Sequence, residues 1–148
     1  MKDVLIKIRT AQDVGTEDED LVEFSSDGVY TFDDDIAVAT YMESEVTGLE
    51  GTRTSVIVLP EQIVVDREGL ITSRMEFSAG SSSSFLYNTP YGTATLSINT
   101  RSISRRFDEH GGELKIDYIV DMEHSVVMRN VLHITVTEQK QIGEKPNA

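Results

Sequence analysis

Apolar and polar residues alternate along almost the whole stretch from Val4 to Val136, and this period of two decides what the chain can become. Successive strand side chains point to opposite faces, so alternation repeated over many short runs makes half-buried antiparallel strands. Val4, Ile6 and Ile8 share one face of the first run, with Lys7 and Arg9 on the other. Leu114, Ile116, Tyr118, Val120 and Met122 alternate with Glu113, Lys115, Asp117 and Asp121. The last run turns Val126, Met128, Leu132, Ile134 and Val136 inward and Arg129, His133 and Thr135 outward. Apolar residues at i, i+3, i+4 and i+7 never persist over three turns. A short helix is expected only in the loop from Asp13 to Asp20.

Turn signals divide the pattern into eight to ten strands. Gly28 is expected to be a bulge or tight bend, and Asp33-Asp34-Asp35 a turn. Asp66-Arg67-Glu68-Gly69 reads as a hairpin turn, Gly80 to Ser84 as a flexible break, and His110-Gly111-Gly112 as another turn. Arg105 to Phe107 adds a short strand piece. This is the signature of an all-β chain with one antiparallel β-barrel of eight to ten strands over residues 1–139 and a polar tail over 140–148. A barrel is favoured over a sandwich because closure removes the exposed edges that such long one-sided strands would leave.

A chain of 148 residues with 39% hydrophobic and 26% charged content is large enough for one real core. It has no Cys, so disulfides, thiolate chemistry and Cys-based zinc sites are excluded. Thirteen basic against 26 acidic residues give a net charge of −13, which repels phosphate backbones. Arg101, Arg105 and Arg106 form the best local basic group, but Asp108 and Glu109 follow at once, so these arginines read as solvated strand-edge charges. No nucleic-acid partner is expected. Nor is a membrane partner, because no apolar run approaches the roughly 20 residues of a membrane helix. A cytoplasmic location is the default expectation.

A set of landmarks now aligns in order and spacing. They are Tyr41-Met42-Glu43, Thr52-Arg53-Thr54, Arg67-Glu68-Gly69, Phe77-Ser78-Ala79-Gly80, Tyr87-Asn88-Thr89-Pro90-Tyr91-Gly92 and Leu114-Lys115-Ile116-Asp117-Tyr118. In these the chain resembles the YwiB-like family of small uncharacterised bacterial proteins, from about Val4 to Glu138. The Thr-Pro-Tyr-Gly element is the most specific part. The resemblance implies a calycin-like, that is lipocalin-like, closed β-barrel with no assigned activity, and it supplies no catalytic or binding residue.

The residues themselves nominate a ligand-binding set: Tyr41, Glu43, Arg67, Tyr87, Thr89, Tyr91 and Tyr118. Pro90 cannot donate to a ladder and Gly92 permits a positive-φ turn. Tyr87, Thr89 and Tyr91 thus either meet a ligand at the barrel mouth or close the barrel as plugs. Arg67 shares the parity of Ile63 and Val65. It either points inward, where Glu43 or Glu76 would neutralise it, or stands exposed in a turn. His110, His124 and His133 lack the i, i+2 spacing that sets two ligands on one strand face, so no metal is expected. Gly80-Ser81-Ser82-Ser83 is not a nucleophile elbow, and no phosphate loop or dinucleotide fingerprint occurs. No cofactor is implied.

These readings point to a non-catalytic binder of a small, mostly apolar ligand. The first rival is an interaction protein whose lumen is filled by Met75, Phe77, Tyr118, Met122 and Met128. The second is an enzyme in which Arg67, Glu43 and a tyrosine meet in a cleft. The run from Ile36 to Glu45 is apolar on both faces, which leads us to expect a homodimer.

Overall fold

A computed structural model describes residues 1–45, 48–122 and 126–139, with only the backbone of Met122 and Val126. Ten strands follow one another: β1 (Lys2–Gln12), β2 (Asp20–Asp33), β3 (Ile36–Met42), β4 (Thr52–Val58), β5 (Ile63–Gly69), β6 (Ser73–Phe77), β7 (Ser82–Thr89), β8 (Gly92–Asp108), β9 (Gly111–Met122) and β10 (Val126–Glu138). Among the described residues there is no helix. Asp13 to Asp20 is a chain of turns, which corrects the expected short helix; Thr16 N–H bonds Asp13 O and Glu19 N–H bonds Thr16 O, both at 3.3 Å. The polar tail and the His124 turn lie outside the described residues.

All ten strands form one antiparallel sheet in the order β6-β5-β4-β3-β2-β1-β10-β9-β8-β7. Every chain neighbour is also a sheet neighbour except β6 and β7, and β1 pairs with β10 to join the two halves. The sheet then curls until β6 meets β7. That seam is held at one end by a bridge in which Thr72 and Asn88 exchange backbone bonds of 3.1 and 3.0 Å. Further along, Ser83 Oγ donates to Glu76 O at 3.0 Å. The result is a nearly closed barrel, as the alternation predicts.

Several local expectations shift for physical reasons. Gly28 does not break its strand, because β2 runs through it unbroken. A Cβ there would meet Ile6 Cδ1 and the Thr40 carbonyl oxygen at 2.5 Å, so the glycine serves close strand approach and not a bend. The Asp-Arg-Glu-Gly segment is the end of β5, not a turn, since Arg67 and Gly69 still pair with Thr54 and Thr52. Arg105 to Phe107 is no separate piece: β8 spans 17 residues across an irregularity between Thr100 and Ser102. The serine run is not a flexible break, since Ser82 to Ser84 belong to β7. Asp34 and Asp35 both have positive φ, as a two-residue type I′ hairpin requires.

The barrel is packed at one end. Val4, Tyr30, Ala37, Val58, Leu114 and Val136 are buried there. Tyr30 stacks on Phe107, and its hydroxyl donates to Asp108 O at 2.7 Å. Arg105 reaches across to the Leu59 carbonyl. The inner face of β3 carries Ala37, Ala39 and Tyr41, and its outer face is half-buried at Ile36, Val38 and Thr40 and exposed at Met42.

On the outer surface, Arg129 of β10 forks onto Asp117 of β9, with Nε to Oδ1 at 3.1 Å and Nη2 to Oδ2 at 2.8 Å. This bond holds the Asp117 carboxyl below its ordinary 3.8. A depressed folded-state pKa stabilises the fold above the unfolded value, and that contribution disappears as pH falls through the folded value. Asp117→Asn is therefore expected to lower Tm at pH 7, and the difference from the parent chain to shrink as acid protonates the carboxyl. Calorimetry at pH 7 and in acid checks this; an equal Tm difference in both would show that the ion pair is not its source.

Candidate functional site

Register across β3, β4, β5 and β6 builds the site. Tyr41 pairs with Thr54, Thr54 with Arg67, and Arg67 with Ser73, so four inward polar side chains lie in one row. Glu43, just past β3, is tied in by its backbone N–H to Thr52 O at 2.8 Å. Its side chain is only 1% exposed. Thr54 Oγ1 donates to Glu43 Oε2 at 2.5 Å, and the Tyr41 hydroxyl is bonded to the same carboxylate. Burial first, and then the charge of Glu43, push the Tyr41 phenol well up, so it stays a donor.

Arg67 turns inward, with its side chain 22% exposed. Its Nε stands 3.9 Å from Glu43 Oε2, too far for a hydrogen bond. Nη1 reaches Met75 Sδ at 3.6 Å, a weak acceptor. Nε is buried with no hydrogen-bond partner, and so is Ser73 Oγ opposite. Of the two carboxylates considered for this arginine, Glu43 faces it, while Glu76 bonds Arg74 on the outside at 3.3 Å. From the far side comes Tyr118, paired in register and hydrogen-bonded with Asn130. Burial pushes its phenol up as well. Asn130 Oδ1 also accepts from Asp13 N–H at 3.3 Å.

These groups border a cavity of about 180 Å³ at the end of the barrel opposite Tyr30. Its polar wall is Thr10, Gln12, Tyr41, Glu43, Thr54, Arg67 and Tyr118. Its apolar wall includes Ile8, Phe24, Val56, Phe77, Leu132 and Ile134. Phe24 leans on Tyr41 with ring centroids 6.2 Å apart, and Phe77 meets Tyr118 edge-on at 5.0 Å. Arg67 also borders a groove along the β6–β7 seam, together with Ser73, Asn88 and Phe85.

Four of the seven nominated residues thus converge: Tyr41, Glu43, Arg67 and Tyr118. The other three do not join them. Pro90 and Tyr91 are the two loop residues of the β7–β8 hairpin, in which Thr89 pairs with Gly92. Thr89 Oγ1 donates to Gly92 O and accepts from Tyr91 N–H, both at 3.0 Å, so it shapes the turn. Tyr91 is 99% exposed and plugs nothing, and Tyr87 packs half-buried against the core. Nothing local in the sequence marks Thr54 as a wall residue or Asn130 as the partner of Tyr118; their parity with Val56 and Leu132 is the available signal.

An enzyme would bring Arg67, Glu43 and a tyrosine within hydrogen-bond reach in a cleft; Glu43 and Tyr41 are bonded there, but Arg67 Nε stands 3.9 Å from Glu43. Glu43 is also already bonded to two hydroxyls. General-base work needs a carboxylate oxygen within reach of a substrate proton. The arrangement is suited to holding a molecule in one orientation.

No helix of the described residues is long and apolar enough to cross a membrane. The "Uncharacterized beta-barrel protein YwiB" of Bacillus subtilis (strain 168) is 26% identical over 119 residues, covering 80% of this chain and 81% of that protein. The crystal structure of the ywiB protein from Bacillus subtilis superposes with a TM-score of 0.81 at 22% identity, covering 94% of this chain and 93% of that one, which establishes the barrel fold. The family model described as "Domain of unknown function (DUF1934)" matches residues 6–134, and the chain belongs to that family.

Proposed function

We propose that this protein is a non-catalytic binder of a small, mostly apolar molecule, held in the open end of the barrel. One observation carries the reading: the lumen is packed at the Tyr30 end but keeps a cavity of about 180 Å³ at the other, lined by aromatic and aliphatic side chains around a few polar groups. Pockets of that composition are the usual form of small-molecule sites. The volume is below the roughly 300–1,000 Å³ of drug-sized sites and close to the roughly 150 Å³ apolar cavity known to admit benzene. The ligand is therefore about one ring in size. The next-neighbour meander supports the calycin-like reading, in which an eight- to ten-stranded barrel encloses one small ligand.

Native mass spectrometry of the purified chain, paired with Leu132→Trp, tests this. Leu132 borders the cavity, and the larger indole occupies its space. The parent chain is expected to retain a small molecule, or to gain Tm with single-ring compounds, and the variant to do neither while remaining folded. A parent chain that carries nothing and responds to no single-ring compound would overturn the proposal.

A further inference from the structure

We infer that the cavity selects ligands carrying an uncharged hydrogen-bond-accepting headgroup, a carboxamide or similar carbonyl, and discriminates against the matching carboxylates. This rests on the ligand-binding reading above and adds the chemistry of the headgroup.

The polar wall has donors left over. Arg67 presents a rigid fork of N–H groups, and the described partners are one thioether sulfur and a carboxylate at 3.9 Å. Its Nε is buried without a hydrogen-bond partner. Buried polar groups are nearly always satisfied, so an arginine fork left open at a cavity wall calls for an acceptor. Glu43 is not in that position, because it already accepts from Thr54 and Tyr41.

Charge decides between acceptors. Arg67 and Glu43 together are neutral. An incoming carboxylate would leave one uncompensated negative charge in a buried site beside the Glu43 carboxylate, an unfavourable like-charge contact. The chain's net charge of −13 adds to that repulsion. A cationic headgroup would face the guanidinium instead. A neutral carbonyl takes up the open donors and leaves the pair balanced. Phe24, Phe77 and Tyr118 provide flat apolar surfaces for a ring attached to it.

Benzamide, benzoate and toluene have the same ring and differ in the headgroup. Each is titrated into the ¹⁵N-labelled full chain and followed by amide shifts. Benzamide is expected to bind about ten- to a hundredfold tighter than benzoate, and tighter than toluene. Glu43→Gln removes the charge but keeps the shape, and is expected to shift the preference toward benzoate by at least about tenfold. Should that variant not fold, the three-ligand ranking on the parent chain decides alone. Benzoate matching or exceeding benzamide would overturn the headgroup assignment and leave the ligand-binding reading standing. Toluene matching benzamide would do the same, since Arg67 would then contribute nothing. Failure of all three to bind would overturn both.

Discussion

Phe77→Ala is expected to remove about 3–5 kcal/mol of folding stability, the range for truncating a fully buried phenylalanine. Phe77 has no exposed surface, pairs with Ile63 across β5–β6, and packs edge-on against Tyr118 at 5.0 Å. It also borders the cavity, so deleting the ring enlarges an existing space and does not open an isolated void. With β6 joined to β7 mainly by the Thr72–Asn88 bridge, neighbours on that side are poorly placed to collapse inward. A domain of this kind has only about 5–15 kcal/mol in total, so the loss is a large fraction of it. Urea denaturation measures it, and a loss under about 1 kcal/mol would mean that the wall relaxes freely at the seam. The same variant should take up toluene more readily than the parent chain.

Gly69→Ala should cost about 3 kcal/mol or more, since strain at a positive φ and a backbone collision act together. Gly69 has φ +133°, and a Cβ there would strike the Gly51 carbonyl oxygen and approach Thr52 Cα to 3.0 Å. Those atoms cannot retreat easily. Thr52 pairs with Gly69, and its carbonyl holds Glu43 N–H at 2.8 Å. The substitution therefore disturbs the site as well as the strand. Gly92 separates the two causes: its φ is +139°, but nothing lies within 4 Å of the added Cβ. Gly92→Ala should cost only about 1 kcal/mol. Equal losses in the two variants would show that collision adds nothing to conformational strain.

The period-two pattern made the sheet legible because strand faces are a local property of sequence. Val4, Ile6 and Ile8 all face the core as the alternation requires. The site was legible only in part, because it is assembled by register. Nothing near Glu43 in the sequence announces that Thr54 and Arg67 will face it; both arrive from neighbouring strands. Arg67 shows the limit well. Its parity pointed inward while its Asp-Arg-Glu-Gly setting resembled a turn, and the pairing of β4 with β5 as far as Gly69 decided the matter. Gly28 shows another limit. A glycine needed for close approach and one needed for a bend look alike until the facing atoms are known. The Pro and Gly of the Thr-Pro-Tyr-Gly element mark a turn on their own, but its distance from the cavity is a fact of tertiary structure.

The pairing of β1 with β10 bears on how the protein is made. Each half of the sheet is a run of hairpins between chain neighbours, which close quickly. The joint between the halves matches Val4 with Glu138 and Ala11 with Val131, so it waits for the chain's last strand. Contacts of such high sequence separation slow folding, because the entropy of closing the intervening loop is lost before they form. Until β10 emerges from the ribosome, β1 is a nascent edge strand bearing Val4, Ile6 and Ile8, ready to pair with another chain. The hazard of this barrel therefore lies in synthesis, when β1 has β2 on one side and an open edge on the other until β10 is made.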